Sequence, residues 1–105
     1  LEYKNIEEIT TFRIILRYKM SFSIKIIDVK ALDNFILHVC FNNGIKKSYD
    51  VKQLFDRFPY MFYPFKDNPA IFKNLKIDCG GCGISWNENI DISEFEILEN
   101  GVDLK

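Results

Sequence analysis

The sequence predicts a small single α+β domain made of antiparallel β-hairpins with two or three short helices. Three observations favour this fold class: an apolar run in strict alternation, the hairpin dipeptide Asn43-Gly44, and a capping box formed by Ser93 and Glu96. With 105 residues, of which 48% are hydrophobic, the chain has the length and composition for one core. It contains no strand-helix-strand repeat, so a parallel sheet is not expected.

Two strands open the domain. A β-branched run from Ile24 to Val29 predicts the first strand. Residues Phe35 to Phe41 predict the second, because successive side chains of a strand point to opposite faces of the sheet. This alternation places Leu37 on the apolar face and puts His38 and Cys40 together on the other face.

A hairpin and a short helix are predicted next. Asn43-Gly44 favours a tight turn with positive φ at both residues, and it leads into a third strand from Ile45 to Tyr49. Asp50 and Gln53 have the spacing of a capping box, and the apolar residues that follow repeat at helical spacing. We therefore expect a short helix from Val51 to Arg57.

The second half of the chain alternates turns with short elements. Asn68-Pro69 predicts the start of one helical turn that ends at Lys73. Leu75 to Asp78 and Ile84 to Trp86 are expected to pair as a second hairpin across a glycine-rich turn. Ser93 then caps a last helix, and Asn100-Gly101 is expected to end it in a left-handed conformation.

The first nineteen residues differ from the rest of the chain. Their apolar side chains follow no clean period, and they precede Met20, the first methionine of the sequence. We therefore predict that residues 1–19 are an N-terminal extension, either non-native or flexible, and that residues 20–105 form the single domain.

The charges disfavour some classes of partner. Fourteen Lys and Arg against fifteen Asp and Glu give a net charge of −1, which supplies no field for nucleic acid or an anionic membrane. Residues 1–52 carry nine basic and six acidic side chains, and residues 53–105 carry five and nine, so the two halves differ in sign. This asymmetry favours a protein partner or a second copy of the chain. Three cysteines, an odd number, favour the cytoplasm over a secreted disulfide scaffold.

Several short motifs follow one another between Ile24 and Gly101. In this order they resemble the bacterial family called domain of unknown function 2442. The resemblance implies a small α+β fold and supplies no activity or catalytic residue. It also implies regulation or binding, because some members are fused to a helix-turn-helix domain and others are encoded beside a small partner, as in toxin–antitoxin pairs. The motifs are Ile27-Asp28-Val29 with Leu32, Phe41-Asn42-Asn43-Gly44, Tyr49-Asp50-Val51-Lys52, Phe65-Lys66-Asp67, and Gly83-Ile84-Ser85-Trp86 followed by Asp91-Ile92.

The sharpest chemical feature is Cys79-Gly80-Gly81-Cys82, because two thiolates at this spacing can hold one metal ion or form a reactive disulfide. A structural zinc ion takes about four ligands, and the remaining candidates are Cys40 and His38. One hypothesis is therefore a zinc site made of His38, Cys40, Cys79 and Cys82. The other, which we favour, is that Cys79 and Cys82 only flank a glycine turn and that the protein has no cofactor.

Aromatic residues are concentrated between Phe55 and Phe65, a segment in which Pro59 and Pro64 are expected to prevent regular structure. Part of this set is expected to cover the sheet as core, and the rest to form a protein interface, where aromatic residues and Met are enriched. Only Arg57 and Lys66 flank the rings, so stacking on bases is not favoured. The predicted interaction surface consists of Phe58, Tyr60, Met61, Phe62, Tyr63 and Phe65.

No motif for catalysis is found. His38 is the sole histidine, and no pattern fixes a nucleophile beside it. The sequence thus favours a non-enzymatic interaction or regulatory module that binds a protein partner or itself. The family resemblance implies, as a specific version, one half of a toxin–antitoxin-like gene pair. A thiol or zinc-binding protein is the alternative.

Overall fold

Within residues 24–104, which the computed structural model describes, two small antiparallel sheets and two α-helices make up the fold. The predicted extension, residues 1–19, lies outside the described residues, and its boundary stays a prediction. The elements are β1 (Ile26–Leu32), β2 (Ile36–Phe41), β3 (Lys46–Asp50), α1 (Pro59–Asp67), β4 (Lys76–Ile77), β5 (Gly83–Asn87), β6 (Ile90–Ser93), α2 (Glu94–Asn100) and β7 (Val102–Asp103).

The first sheet has the strand order β1-β2-β3-β7. Val39 of β2 lies opposite Val29 of β1, and the buried positions of β2 alternate as expected for a strand with one face on the core. His38 and Cys40 lie on the other, partly exposed face, as the alternation predicts. The short strand β7, which no sequence signal indicates, pairs with β3 through Val102 opposite Ser48.

The hairpin at Asn43-Gly44 is confirmed, but its turn differs from the predicted one. Of these two residues, only Gly44 has positive φ, at 91°. The amide of Phe41 donates to the carbonyl of Ile45 at 2.9 Å, so three residues lie between them. In three-residue hairpin loops only the last residue takes the left-handed conformation, and the side chain of Asn43 accepts a hydrogen bond from Ile45 instead.

The aromatic segment forms a helix, contrary to the expectation of irregular structure. The predicted helix from Val51 to Arg57 is reduced to a 3-10 turn at Val51–Leu54. Phe58, which precedes proline, has non-helical φ and ψ of −136° and 64°. Helix α1 then begins with Pro59 at its first position, where the missing N–H costs nothing. Pro64 lies inside the helix, and burial of Phe62 and Phe65 compensates for its missing hydrogen bond.

The second sheet has the order β4-β5-β6, and α2 follows it directly. The predicted second hairpin is formed by β4 and β5. Ser93 caps α2 by accepting a hydrogen bond from the Glu96 amide at 3.1 Å, which confirms this part of the capping box. Gly101 ends the helix with φ −81°, so the left-handed stop is wrong. Its small size matters instead, since an added Cβ would lie 2.6 Å from the Ile97 carbonyl oxygen.

One core lies between the sheets and the helices. Phe65 is fully buried, and its ring contacts those of Phe35, Phe72 and Trp86 at centroid distances of 5.1 to 6.0 Å. The Trp86 indole also donates to the Phe72 carbonyl at 2.6 Å. The small α+β domain of antiparallel hairpins and short helices is thus confirmed. The fully or nearly buried apolar residues are Ile26, Leu37, Val39, Phe41, Tyr49, Val51, Leu54, Phe55, Phe62, Phe65, Phe72, Ile84, Ile90, Ile92 and Ile97.

Candidate protein-binding groove

Helix α1 divides the predicted interaction residues among three environments. Phe62 and Phe65 are 1% and 0% exposed, so their assignment to the surface is corrected: helical spacing turns both toward the core. Tyr60 and Tyr63 point to solvent on the opposite side of the helix, with exposures of 96% and 60%. Phe58, at 48%, and the half-buried Met61 border a depression beside the second sheet.

This depression is a groove between the start of α1 and strand β6, and we call it the α1–β6 groove. Its volume is about 180 Å³. Pockets for small-molecule ligands usually have about 300 Å³ or more, whereas a cavity of about 150 Å³ holds one benzene molecule. The groove therefore has room for one large side chain rather than for a metabolite. It is lined by Leu54, Phe58, Met61, Phe62, Asp91, Ile92, Ser93 and Glu96.

A carboxylate with fixed orientation stands at the rim of the groove. Glu96 accepts three hydrogen bonds on one oxygen, Oε2: from Tyr49 at 2.7 Å, from Arg57 at 2.9 Å and from Asn100 at 2.9 Å. Within residues 24–104 its other oxygen, Oε1, accepts none, and 24% of the side chain is exposed. Glu96 can therefore accept a further hydrogen bond from a molecule in the groove.

Tyr49 anchors this carboxylate from inside the domain. Its side chain is fully buried on β3. Burial raises the pKa of Tyr49 well above its usual range, and the hydrogen bond to Glu96 and the negative charge of that carboxylate raise it further. Arg57 partly opposes the increase, so Tyr49 remains a protonated donor at physiological pH.

Arg57 connects the carboxylate to the aromatic border of the groove. Its guanidinium pairs with Glu96 and also lies 5.6 Å from the centroid of the Phe58 ring, within the range of a cation–π contact. The backbone at Phe58 is fixed as well, because its amide donates to Leu54 and its carbonyl accepts from Met61. One rim of the groove is thus held by side-chain and backbone contacts together.

The other rim is an edge strand. Among residues 24–104, β6 has β5 on one side and no strand on the other. The amide of Glu94 donates to the Cys82 carbonyl across the ladder at 3.0 Å. Because alternate residues of an antiparallel strand bond to the same neighbour, the main-chain groups of Asp91 are directed to the open side. An extended segment could therefore pair with β6 along the groove.

The structure does not bring the predicted zinc ligands together. His38 and Cys40 lie on the outer face of β2, opposite Ser48 and Lys46 of β3. Cys79 and Cys82 lie in the β4–β5 loop, and both thiols are exposed. In the described part of the chain, no three His, Cys, Asp or Glu side chains are placed to share a metal ion.

A second depression lies between the turn that joins β1 to β2 and the segment from Pro69 to Lys73. The turn between β1 and β2 lines it, and Asn34 and Phe35 both have positive φ there, at 63° and 60°. Lys73 extends from the other wall toward Asp33, with 3.4 Å between Nζ and Oδ1. Its volume of about 280 Å³ is again below the usual range for small-molecule sites.

Sequence reasoning missed the residues that give the groove its chemistry. Glu96 is recognised only as part of a capping box, although its side chain binds Tyr49 and Arg57 instead of returning to the cap. Asp91 and Ile92 carry no signal of an edge strand. The contact of Glu96 with Tyr49 spans 47 positions, so no local pattern could have indicated it.

Comparison with known proteins finds a matching family model and assigns no activity. The family model described as "Protein of unknown function (DUF2442)" matches residues 26–103, well over half of the chain. No curated protein and no solved structure matches the sequence. Within residues 24–104, no helix has both the length and the apolar character needed to cross a lipid bilayer.

Proposed function

The chain belongs to the DUF2442 family, whose function is unknown, and we propose from the geometry of its groove that it is a non-enzymatic interaction module. It binds an extended segment of a partner protein in the α1–β6 groove. The observation that carries this proposal is the pocket for one side chain placed directly beside the open edge of β6.

The size and lining of the groove determine what the segment must contain. A large apolar side chain of the partner enters between Phe58, Met61 and Ile92, where contact with water is lost on both surfaces. The main chain of the segment pairs with β6 at Asp91. Backbone pairing of this kind supplies affinity, and the pocket for one side chain supplies specificity.

The charge of the rim determines the neighbouring residue of the partner. Asp91 is exposed, and Glu96 keeps one carboxylate oxygen for a further hydrogen bond. Arg57 compensates only one of these two negative charges. A Lys or Arg next to the apolar residue of the partner is therefore favoured, because complementary charge sets specificity and speeds association.

A partner of different sequence fits this groove better than a second copy of the chain. Symmetric pairing of two β6 edges would bring two acidic rims together, including both Asp91 carboxylates. Like charges opposite each other destabilise strand pairing. The family resemblance makes the product of a neighbouring gene, in a toxin–antitoxin-like pair, the first natural partner to test. We propose the cytoplasm as its location, since the cysteines at positions 40, 79 and 82 are free thiols.

Phage display with short random peptides tests the groove without knowledge of the natural partner. We expect enrichment of peptides that carry a large apolar residue next to Lys or Arg. Phe58→Ala should weaken a selected peptide about tenfold or more, as at an interface hot spot. Glu96→Gln, which keeps an acceptor for Tyr49, should reduce the preference for the basic residue. NMR amide shifts should map the peptide to Asp91–Ser93.

Tyr60→Ala is the matched control, because Tyr60 is an exposed aromatic on the opposite side of α1. Its peptide affinity should equal that of the unchanged protein. Affinity that falls with Tyr60→Ala and persists with Phe58→Ala would move the interface to the outer face of α1. A dimer that Phe58→Ala dissociates would show that a second copy fills the groove. Failure to enrich any peptide would also refute the proposal.

A further inference from the structure

The loop between β4 and β5 brings two thiols together at one end of the domain. The amide of Asp78 donates to the Gly83 carbonyl at 2.9 Å, so these two residues close the hairpin ladder. Paired residues of antiparallel strands lie about 5 Å apart at Cα. Cys79 and Cys82 are the next residue inward on each side, so the closure holds them near each other.

Two glycines give this loop its shape. Gly80 and Gly81 have φ of 79° and 75°, a conformation that side chains with Cβ rarely adopt. The values at Gly80, φ 79° and ψ 2°, match the third position of a type II turn. The Gly81 amide donates to the Asp78 carbonyl at 2.8 Å, the hydrogen bond that often closes such a turn. The two cysteines are thus presented at the tip by a defined turn.

The base of the loop is fixed to the rest of the fold. Gly81 packs so closely on β1 that an added Cβ would lie 2.6 Å from the Ile26 carbonyl oxygen. Ser85 donates its hydroxyl to Asp78 at 2.7 Å. Above this base both thiols are exposed, and Sγ of Cys82 lies 3.4 Å from the Cys79 carbonyl oxygen, so it is turned back toward Cys79.

The number and type of ligands determine which ion this loop can hold. Within residues 24–104 no third His, Cys, Asp or Glu side chain joins the two thiols. A closed zinc site takes about four ligands, so one chain does not complete it. Cu(I) is a soft cation that thiolates select, and two thiolates in a nearly linear arrangement complete its coordination.

We propose that Cys79 and Cys82 bind one Cu(I) ion between their two sulfur atoms. Both thiols lose their protons to solvent when the ion binds, and the oxidation state of copper does not change. The site rests on the β4–β5 loop alone and is independent of the α1–β6 groove. Its failure would therefore leave the proposed function untouched.

Anaerobic titration of the reduced protein with Cu(I), delivered as its acetonitrile complex, tests the site against the coloured chelator bicinchoninate. We expect the protein to remove copper from the chelator until each chain holds a single ion. Native mass spectrometry should show that one copper replaces two protons, and X-ray absorption should show two sulfur neighbours. Cys79→Ser and Cys82→Ser should each lose the competition with the chelator.

Cys40→Ser is the matched control, because it removes the third thiol from another part of the fold. It should keep the copper of the unchanged protein. Loss of copper in Cys40→Ser as well would overturn the two-thiolate site. Equal uptake by the unchanged protein and the Cys79→Ser/Cys82→Ser double variant would do the same. A zinc ion that joins two chains through four thiolates would replace the proposal with a site between subunits.

Discussion

Replacing Tyr49 by Phe tests whether the buried hydrogen bond to Glu96 holds the groove carboxylate. The ring and its packing remain, while the hydroxyl that donates to Oε2 at 2.7 Å is lost. A hydrogen bond to a charged group contributes about 1.5–3 kcal/mol. Because Arg57 and Asn100 still donate to the same oxygen, we expect the low end, about 1.5 kcal/mol of unfolding free energy at about pH 7.

The difference in unfolding free energy between the unchanged protein and Tyr49→Phe should disappear at high pH. The folded-state pKa of Tyr49 is raised above the unfolded value of about 10, so its contribution is fully present below that pH and is lost as the pH rises. Above about pH 10 Tyr49 ionises in the unfolded chain, whereas it stays protonated in the folded protein. Linkage then removes about 1.4 kcal/mol by about pH 11, which brings Tyr49→Phe close to the unchanged protein.

Urea unfolding, followed by the fluorescence of the single tryptophan, measures this difference at several pH values between about 7 and 11. Tyr63→Phe is the matched control, because Tyr63 is 60% exposed and should show no such pH dependence relative to the unchanged protein. A Tyr49→Phe difference that stays constant across this range would contradict the raised pKa of Tyr49. It would mean that Tyr49 ionises in the folded protein as it does in the unfolded chain.

Three further pairs of substitutions test the fold around the two proposed sites. Phe65→Ala should lower the free energy of unfolding in urea by about 3–5 kcal/mol, because it empties the centre of the ring cluster. Tyr60→Ala should change it by less than about 0.5 kcal/mol, and equal effects of the two substitutions would contradict this core. Gly81→Ala should lower the free energy of unfolding by at least about 2 kcal/mol and Gly80→Ala by about 1 kcal/mol. Both glycines have positive φ, but only at Gly81 would an added Cβ meet a carbonyl oxygen. A lower thermal midpoint for Gly80→Ala than for Gly81→Ala would contradict the packing of Gly81 on β1. Ser93→Ala should cost about 1 kcal/mol and Ser93→Thr much less, because threonine still accepts from the Glu96 amide; equal losses of stability would exclude the cap.

Elements with a local physical cause could be predicted from the sequence. The alternation of β2 places Leu37 and Val39 in the core, because side-chain direction in a strand repeats every two residues. Asn43-Gly44 and Ser93 mark a turn and a helix start, because their effect acts over three or four residues. Each of these signals is complete within a short stretch of sequence.

Elements that depend on tertiary packing could not be predicted in this way. Helix α1 contains Pro64, which costs about 3 kcal/mol in a helix interior, while full burial of Phe62 and Phe65 contributes about 1.5–3 kcal/mol each. Local propensity alone gives the wrong sign for this helix. Strand β7 likewise exists because α2 delivers Val102 beside β3, a placement with no signature in two residues.

The candidate groove also combines features that local sequence predicts with features that depend on tertiary packing, and the second kind explains why the groove is suited to binding. Its apolar content was visible in the sequence as a run of rings, but its carboxylate is positioned by a network that joins β3, the segment before α1, and α2. Because Glu96 is held by the buried Tyr49 and Phe58 is fixed by Arg57, the rim that these residues form need not be ordered when a partner arrives. Preorganisation lowers the entropic cost of association. A groove that accepts only one side chain can therefore contribute to affinity when the extended segment also pairs with β6. Loss of the hydrogen bond that holds Glu96 should therefore weaken binding even of a partner that never touches Tyr49. Tyr49→Phe removes this hydrogen bond and leaves the surface of the groove chemically unchanged. It therefore separates the positioning of Glu96 from direct contact with the partner.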